Sequence, residues 1–176
     1  FMAVTKYLIE ACTDVETPLD KTLERINKLL AKNNETCMFV TAFVGVLNLK
    51  NGDFIYANAG HNSPLIWTEN TPVEFLEPVG GPILGIMEPG FFRVGKTILV
   101  PFGGLLAYTD GVTEAFNVEA KPFSDEKLVK IVDGLRGVEA KSITENLLRE
   151  VDEFFGAVPQ SDDITIMVLN YTPKSV

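Results

Sequence analysis

The sequence predicts an α+β domain with antiparallel sheets. Helices come first, then a strand-rich meander opened by an Asn51-Gly52 turn, then two more helices and a last strand, an order that suits layered antiparallel sheets rather than a parallel α/β fold. At 176 residues and 46% hydrophobic, the chain can bury a core of its own, and it reads as one domain, residues 1–176, with no internal repeat or linker.

Phe1 to Ala11 reads as a helix already under way, with Met2, Val4, Tyr7, Leu8 and Ala11 apolar and no capping residue before it. Thr17-Pro18-Leu19-Asp20 supplies an N-cap, a first-turn proline and a first-turn acid for a second helix. Its inner face is Leu19, Leu23, Ile26 and Leu30; Lys21, Glu24, Arg25 and Lys28 form a solvated face. From Met38 the period changes. Phe39 to Leu49 is nearly continuous in apolar character, as expected of a central strand covered on both faces. Asn51-Gly52 then turns the chain into an antiparallel strand at Phe54 to Ala57, and Leu65 to Thr68 continues the meander after a Gly60 to Pro64 break. Further strands are expected at Val73 to Leu76, Phe92 to Val100, Leu105 to Tyr108 and Ile164 to Asn170. A helix capped by Ser124 should bury Leu128, Ile131, Val132 and Leu135. Another, Ala140 to Phe155, should bury Ile143, Leu147, Val151 and Phe154 and stop at Gly156.

Two short stretches carry chemistry. Tyr108-Thr109-Asp110-Gly111 closes one apolar run, and Gln160-Ser161-Asp162-Asp163-Ile164-Thr165 opens another. If these strands are antiparallel neighbours, the end of one lies beside the start of the other and their carboxylates converge. Converging carboxylates repel unless a cation sits between them, and hard oxygen donors without His or Cys suit Mg²⁺ or Mn²⁺ rather than Zn²⁺.

Composition narrows the field. Fifteen Lys plus Arg against 24 Asp plus Glu leaves a net charge of −9, which argues against nucleic acid. Cys12 and Cys37 read as reduced, small hydrophobes, and with no signal peptide the expected compartment is cytoplasmic. No apolar stretch approaches the roughly 20 residues of a bilayer span. Twelve phenylalanines, among them Phe91, Phe92, Phe102, Phe116 and Phe123, are expected in the core.

Four blocks in order then carry a resemblance: Asn58-Ala59-Gly60-His61-Asn62-Ser63-Pro64, Gly80-Gly81-Pro82-Ile83-Leu84-Gly85, Tyr108-Thr109-Asp110-Gly111-Val112-Thr113-Glu114-Ala115 and Ser161-Asp162-Asp163-Ile164-Thr165. Together, across Met38 to Leu169, the set resembles the SpoIIE/RsbU-like branch of the PPM (type 2C) metal-dependent protein serine/threonine phosphatases. The resemblance implies a two-layer antiparallel β-sandwich flanked by helices, with a two-metal site at one end. It implies Asp110 and Asp162 as metal ligands, with Asp163 beside them, two Mn²⁺ or Mg²⁺ ions, and attack of a metal-activated water on phosphoserine or phosphothreonine. The implied partner is a small regulatory phosphoprotein of the anti-sigma-factor-antagonist type, in bacterial signal transduction, with a sensor or receiver domain upstream. The family's other metal carboxylates belong to an Asp-x-Ser-Gly-His-Gly segment that would precede Phe1. The expectation is therefore an N-terminally truncated domain with little or no phosphatase activity of its own.

Each residue also has a plainer reading. Asp110 could be a turn aspartate bonded to its own backbone, although the matching Asp162 block favours a ligand; Asp163 suits a ligand or a cap on the strand entrance equally. Glu114 reads as a turn residue. His61 reads as part of a tight turn more than as an acid or base, and Gly80-Gly81-Pro82 as a loop of fixed shape, since it lacks the lysine and following helix of a phosphate cradle. Two other function classes stay open: a pseudo-phosphatase that docks a phosphoprotein without turnover, and a homodimerisation module built on the first helix.

Overall fold

The computed structural model describes residues 1–14, 16–32 and 34–172. Its elements run α1 (Met2–Cys12), α2 (Leu19–Ala31), β1 (Ala42–Leu47), β2 (Asp53–Ala59), β3 (Leu65–Trp67), β4 (Glu74–Phe75), β5 (Val94–Ile98), β6 (Gly104–Tyr108), α3 (Asp125–Gly134), α4 (Ala140–Phe155) and β7 (Ile166–Asn170). All strand pairings are antiparallel, so the α+β class with antiparallel sheets stands. The chain divides into two compact units, each with its own sheet and core.

The first unit comprises Phe1–Leu49, Asp53–His61 and Glu77–Ile98. Its sheet has the order β1-β2-β5, with β2 in the centre. The apolar run expected to make β1 a central, doubly covered strand instead makes an edge strand with Val46 exposed. Apolarity marked the strand; it did not say how many partners the strand has. Leu19, Leu23, Ile26 and Leu30 of α2 are buried as their spacing required, against Ala57, Ala59, Leu84 and Phe92. The expected Thr17 cap is absent. The Thr17 N–H and hydroxyl both donate to Asp14 (2.6 and 2.9 Å), and Pro18 is the residue before the helix. A polar residue inside this core escaped the reading: buried Asn27 donates to Met87 O (2.7 Å) and accepts from Gly85 N (2.9 Å). It fixes the glycine-rich loop to α2, and mutual bonds between Val40 and Leu84 hold the other side.

The second unit comprises Lys50–Gly52, Asn62–Leu76 and the chain from Leu99 onward. Its sheet has the order β4-β3-β6-β7. Here the meander expectation needs correction, because β3 pairs with β4 and β6 and not with β2. The Gly60 to Pro64 break is where the chain changes sheets. One sheet face carries Leu65, Trp67, Leu106, Tyr108, Ile166 and Val168, which meet Leu128 and Val132 of α3 and Ile143, Leu147 and Val151 of α4. Each helix thus buries one stripe, as a 3.6-residue period demands. At the end of α4 it is Phe155 that is buried; Phe154 is half-buried and packs edge-on against Phe123 at 5.2 Å. Ser124 caps α3 by accepting from Lys127 N (3.4 Å).

One further expectation fails because apolar character does not guarantee cover, while both cysteines are free as expected. Phe92 and Phe123 are core residues, but Phe91, Phe102 and Phe116 are exposed, as is Cys37.

Tyr108 links sheet to helix. Its hydroxyl donates to Asp125 Oδ1 (3.1 Å), and burial, reinforced by that carboxylate, pushes its phenol well above the ordinary value. An acid that holds its proton more tightly when folded stabilises fully below its unfolded pKa of about 10 and loses that contribution as pH climbs past it. Urea unfolding should therefore show stability falling above pH 10, and Tyr108→Phe should flatten that slope while costing about 1 kcal/mol at neutral pH. A second pair isolates the core: Leu147→Ala at a fully buried position should cost about 2–5 kcal/mol, whereas Leu148→Ala, 42% exposed on the same helix, should cost well under 1.

Candidate metal centre

Asp110 follows β6 by two residues, and Asp162 and Asp163 precede β7. The register, Tyr108↔Ile166 at the end of the ladder, puts the exit of β6 opposite the entry of β7. Beyond the last ladder pair, Thr109 continues the contact in three bonds. Its N–H donates to Thr165 O (3.1 Å), its hydroxyl donates to Asp163 O (2.9 Å), and the same hydroxyl accepts from Thr165 N (2.9 Å). The two acidic stretches are therefore clasped through backbone and one threonine side chain. Glycine at 111 makes the approach possible, because a Cβ there would lie 2.6 Å from Asp163 O.

All three aspartates are exposed. Asp110 Oδ1 accepts from Gly111 N (3.1 Å) and Asp162 Oδ1 from Asp163 N (2.7 Å), so each carboxylate is steadied by the next residue's amide. The plain turn reading and the ligand reading are thus compatible, since an oriented carboxylate is what a ligand needs. Gln160 Nε2 donates to Asp162 O (2.6 Å) and steadies that turn further. Behind Asp110, Glu114 N donates to Asp110 O (2.8 Å), closing a helical turn that leaves the Glu114 side chain exposed.

No lysine or arginine among the described residues pairs with Asp110, Asp162 or Asp163. Uncompensated hard oxygen donors on one rim fit a Mg²⁺ or Mn²⁺ ion, which accepts a few carboxylates and keeps waters for its remaining positions. Among the described residues no group of three or more His, Cys, Asp and Glu forms a ready-made cage.

His61 belongs to the first unit. Asn58 brackets its backbone, accepting from His61 N (2.7 Å) and donating to His61 O (2.8 Å), and His61 Nδ1 lies 2.9 Å from Thr41 Oγ1. That is the tight turn the sequence suggested. Reading the sequence missed Thr109 and the close approach at Gly111, although both sit inside the quoted block; a threonine flanking an acidic strand end is the signal that was available.

A family profile described as Stage II sporulation protein E (SpoIIE) matches residues 1–172. Protein IcfG of Synechocystis sp. is 27% identical over 144 residues, covering 80% of this chain and 22% of IcfG. Phosphoserine phosphatase RsbU of Bacillus subtilis is 23% identical over 171 residues, covering 96% of this chain and 50% of RsbU. This chain therefore spans half or less of the curated relatives it matches. Among solved structures, the RsbU and RsbW domains of Rv1364c from Mycobacterium tuberculosis superpose with a TM-score of 0.82 at 22% identity, over 99% of this chain and 49% of that one. The SiaA-PP2C domain of Pseudomonas aeruginosa gives 0.79 at 19% identity, over 96% and 66%. The fold is that of the PP2C-type phosphatase domains, and the chain belongs to the SpoIIE family of these phosphatases.

Proposed function

We propose that this chain belongs to a metal-dependent protein serine/threonine phosphatase that hydrolyses phosphoserine or phosphothreonine on a small regulatory phosphoprotein of the anti-sigma-factor-antagonist type, with little or no turnover by the chain on its own. The observation that carries this reading is the clasp that sets Asp110 beside Asp162 and Asp163 at one sheet rim. The family supports the reaction class, and RsbU, named a phosphoserine phosphatase, supports the substrate residue. A Mycobacterium tuberculosis protein that carries RsbU and RsbW domains together supports a regulatory setting.

Asp110 and Asp162 are the proposed metal ligands, with Asp163 as a third carboxylate on the same rim. Two bound Mn²⁺ or Mg²⁺ ions would supply an activated water and neutralise charge on the phosphoryl group. The chain's own part is to orient the carboxylates, through the amides of Gly111 and Asp163, and to keep the rim free of competing cations. No side-chain nucleophile is required, in keeping with two cysteines remote from the rim's acidic stretches in sequence. A second reading, docking of a phosphoprotein without turnover, is favoured by one observation: among the described residues Asp110, Asp162 and Asp163 do not close into a group of three that could hold a metal ion.

Calorimetric titration with Mn²⁺ tests the site. Asp110→Asn should weaken binding by roughly tenfold or more; unchanged binding would remove Asp110 from the metal site. Gly111→Ala provides a geometric test, since its methyl must push Asp163 O away and so part the two acidic stretches. It should weaken Mn²⁺ binding although no carboxylate is lost, and an affinity equal to the parent's would mean that the spacing of the stretches is immaterial.

A further inference from the structure

Between Ala115 and Phe123 the chain leaves the proposed metal rim, makes a short hairpin and returns to α3. Both roots are fixed. Ala115 and Phe123 are fully buried, Phe123 N donates to Ala115 O (2.8 Å), and Phe116 and Pro122 form an antiparallel bridge. Asn117 braces the tip, its Oδ1 accepting from Glu119 N and Lys121 N at 3.0 Å each. From this braced hairpin two apolar side chains project into solvent, Phe116 at 45% exposure and Val118 at 73%.

A single exposed apolar residue needs no explanation, but two on one stiff hairpin that grows out of the Asp110 turn form a surface held at low entropic cost. Its formal charge is net negative. Glu114, Glu119, Asp125 and Glu126 are exposed along the same segment. Lys121 Nζ pairs with Glu119 at 2.7 Å and Lys127 Nζ lies 4.7 and 4.2 Å from the Phe123 and Phe154 ring centroids, so residues 114–127 carry four carboxylates against two lysines, a formal net charge of −2. The charge that complements such a surface is positive.

We propose that the hairpin 115–123 reads the residues flanking the phosphorylated serine in the protein substrate, with Phe116 and Val118 contacting an apolar neighbour and the acidic segment favouring a basic one. This rests on the phosphatase reading above and adds to it a substrate class: phosphoserine segments with apolar and basic flanks, selected against acidic ones. Phe116 and Val118 are then specificity determinants of the domain, distinct from the carboxylates that hold metal.

The test uses two dye-labelled phosphoserine peptides that differ only in flanking residues, Leu and Arg in one, Ser and Glu in the other. Their affinities for the Mn²⁺-loaded chain are read by fluorescence anisotropy. The parent chain should prefer the Leu/Arg peptide by about fivefold or more. Phe116→Ser combined with Val118→Ser should bring the ratio towards one, with Glu119→Gln giving a smaller loss; these are surface positions, and unchanged unfolding midpoints verify that each variant folds. A parent ratio near one, a ratio the double variant retains, or failure of both peptides to bind would overturn the proposal. Mn²⁺ titration of the same samples separates the two levels. Metal bound without peptide preference overturns the hairpin's role alone, whereas no metal bound overturns the phosphatase reading and the hairpin's role with it.

Discussion

Much in the second unit depends on the β6–β7 ladder and the way Thr109 extends it. Antiparallel pairing from Gly104↔Asn170 to Tyr108↔Ile166 delivers two acidic turns to one rim, where three anionic side chains would separate if nothing else held them. Like charges on an exposed rim are screened within about 8 Å at physiological salt, so their repulsion is modest, and a few oriented hydrogen bonds suffice against it. Thr109 supplies them. Its hydroxyl both donates to Asp163 O and accepts from Thr165 N, a two-way use that only a serine or threonine at this position could make. The rim is thus assembled by backbone and core, ahead of any cation, which is the preorganisation an ion site needs.

The ladder in turn relies on burial. Leu106 and Tyr108 of β6 and Ile166 and Val168 of β7 share the face that α3 and α4 cover, and a one-residue slip would turn that whole set outward. Register is therefore set by the core and inherited by the rim. Tyr108 joins the two levels, since its ring packs in the core while its hydroxyl reaches Asp125 at the start of α3.

The sequence made parts of this legible and hid others for physical reasons. The boundaries of α4 and the inward stripes of α2, α3 and α4 follow from period and caps, which are local properties. Strand positions were local too, within a few residues. Partnership was not, because a strand's residues do not state which neighbour they pair with: β1 proved an edge, and β3 left the meander for the other sheet. At the site, the meeting of the two acidic stretches could be reasoned from adjacent antiparallel strands. The Thr109 clasp and the clearance at Gly111 could not, since both depend on distances that spacing does not give. Exposed phenylalanines were hidden for the opposite reason, as composition argues only for the average Phe and not for Phe116.

Net charge ties these levels together. A chain at −9 that acts on a phosphate ester must overcome repulsion between its own field and its substrate. Phosphate-binding proteins commonly answer with lysine, arginine or a helix N-terminus beneath a glycine-rich loop. Here the glycine-rich loop is tied down by Asn27 and by the Val40–Leu84 bridge, and it contains neither lysine nor arginine from Gly80 to Gly90. Among the described residues no lysine or arginine pairs with the exposed aspartates at the β6–β7 rim, so in the proposed reaction those aspartates are the groups suited to import positive charge as bound cations. On that argument the rim carboxylates underlie the proposed metal dependence: they must be anionic to hold cations, and the bound cations would be what attracts the anion.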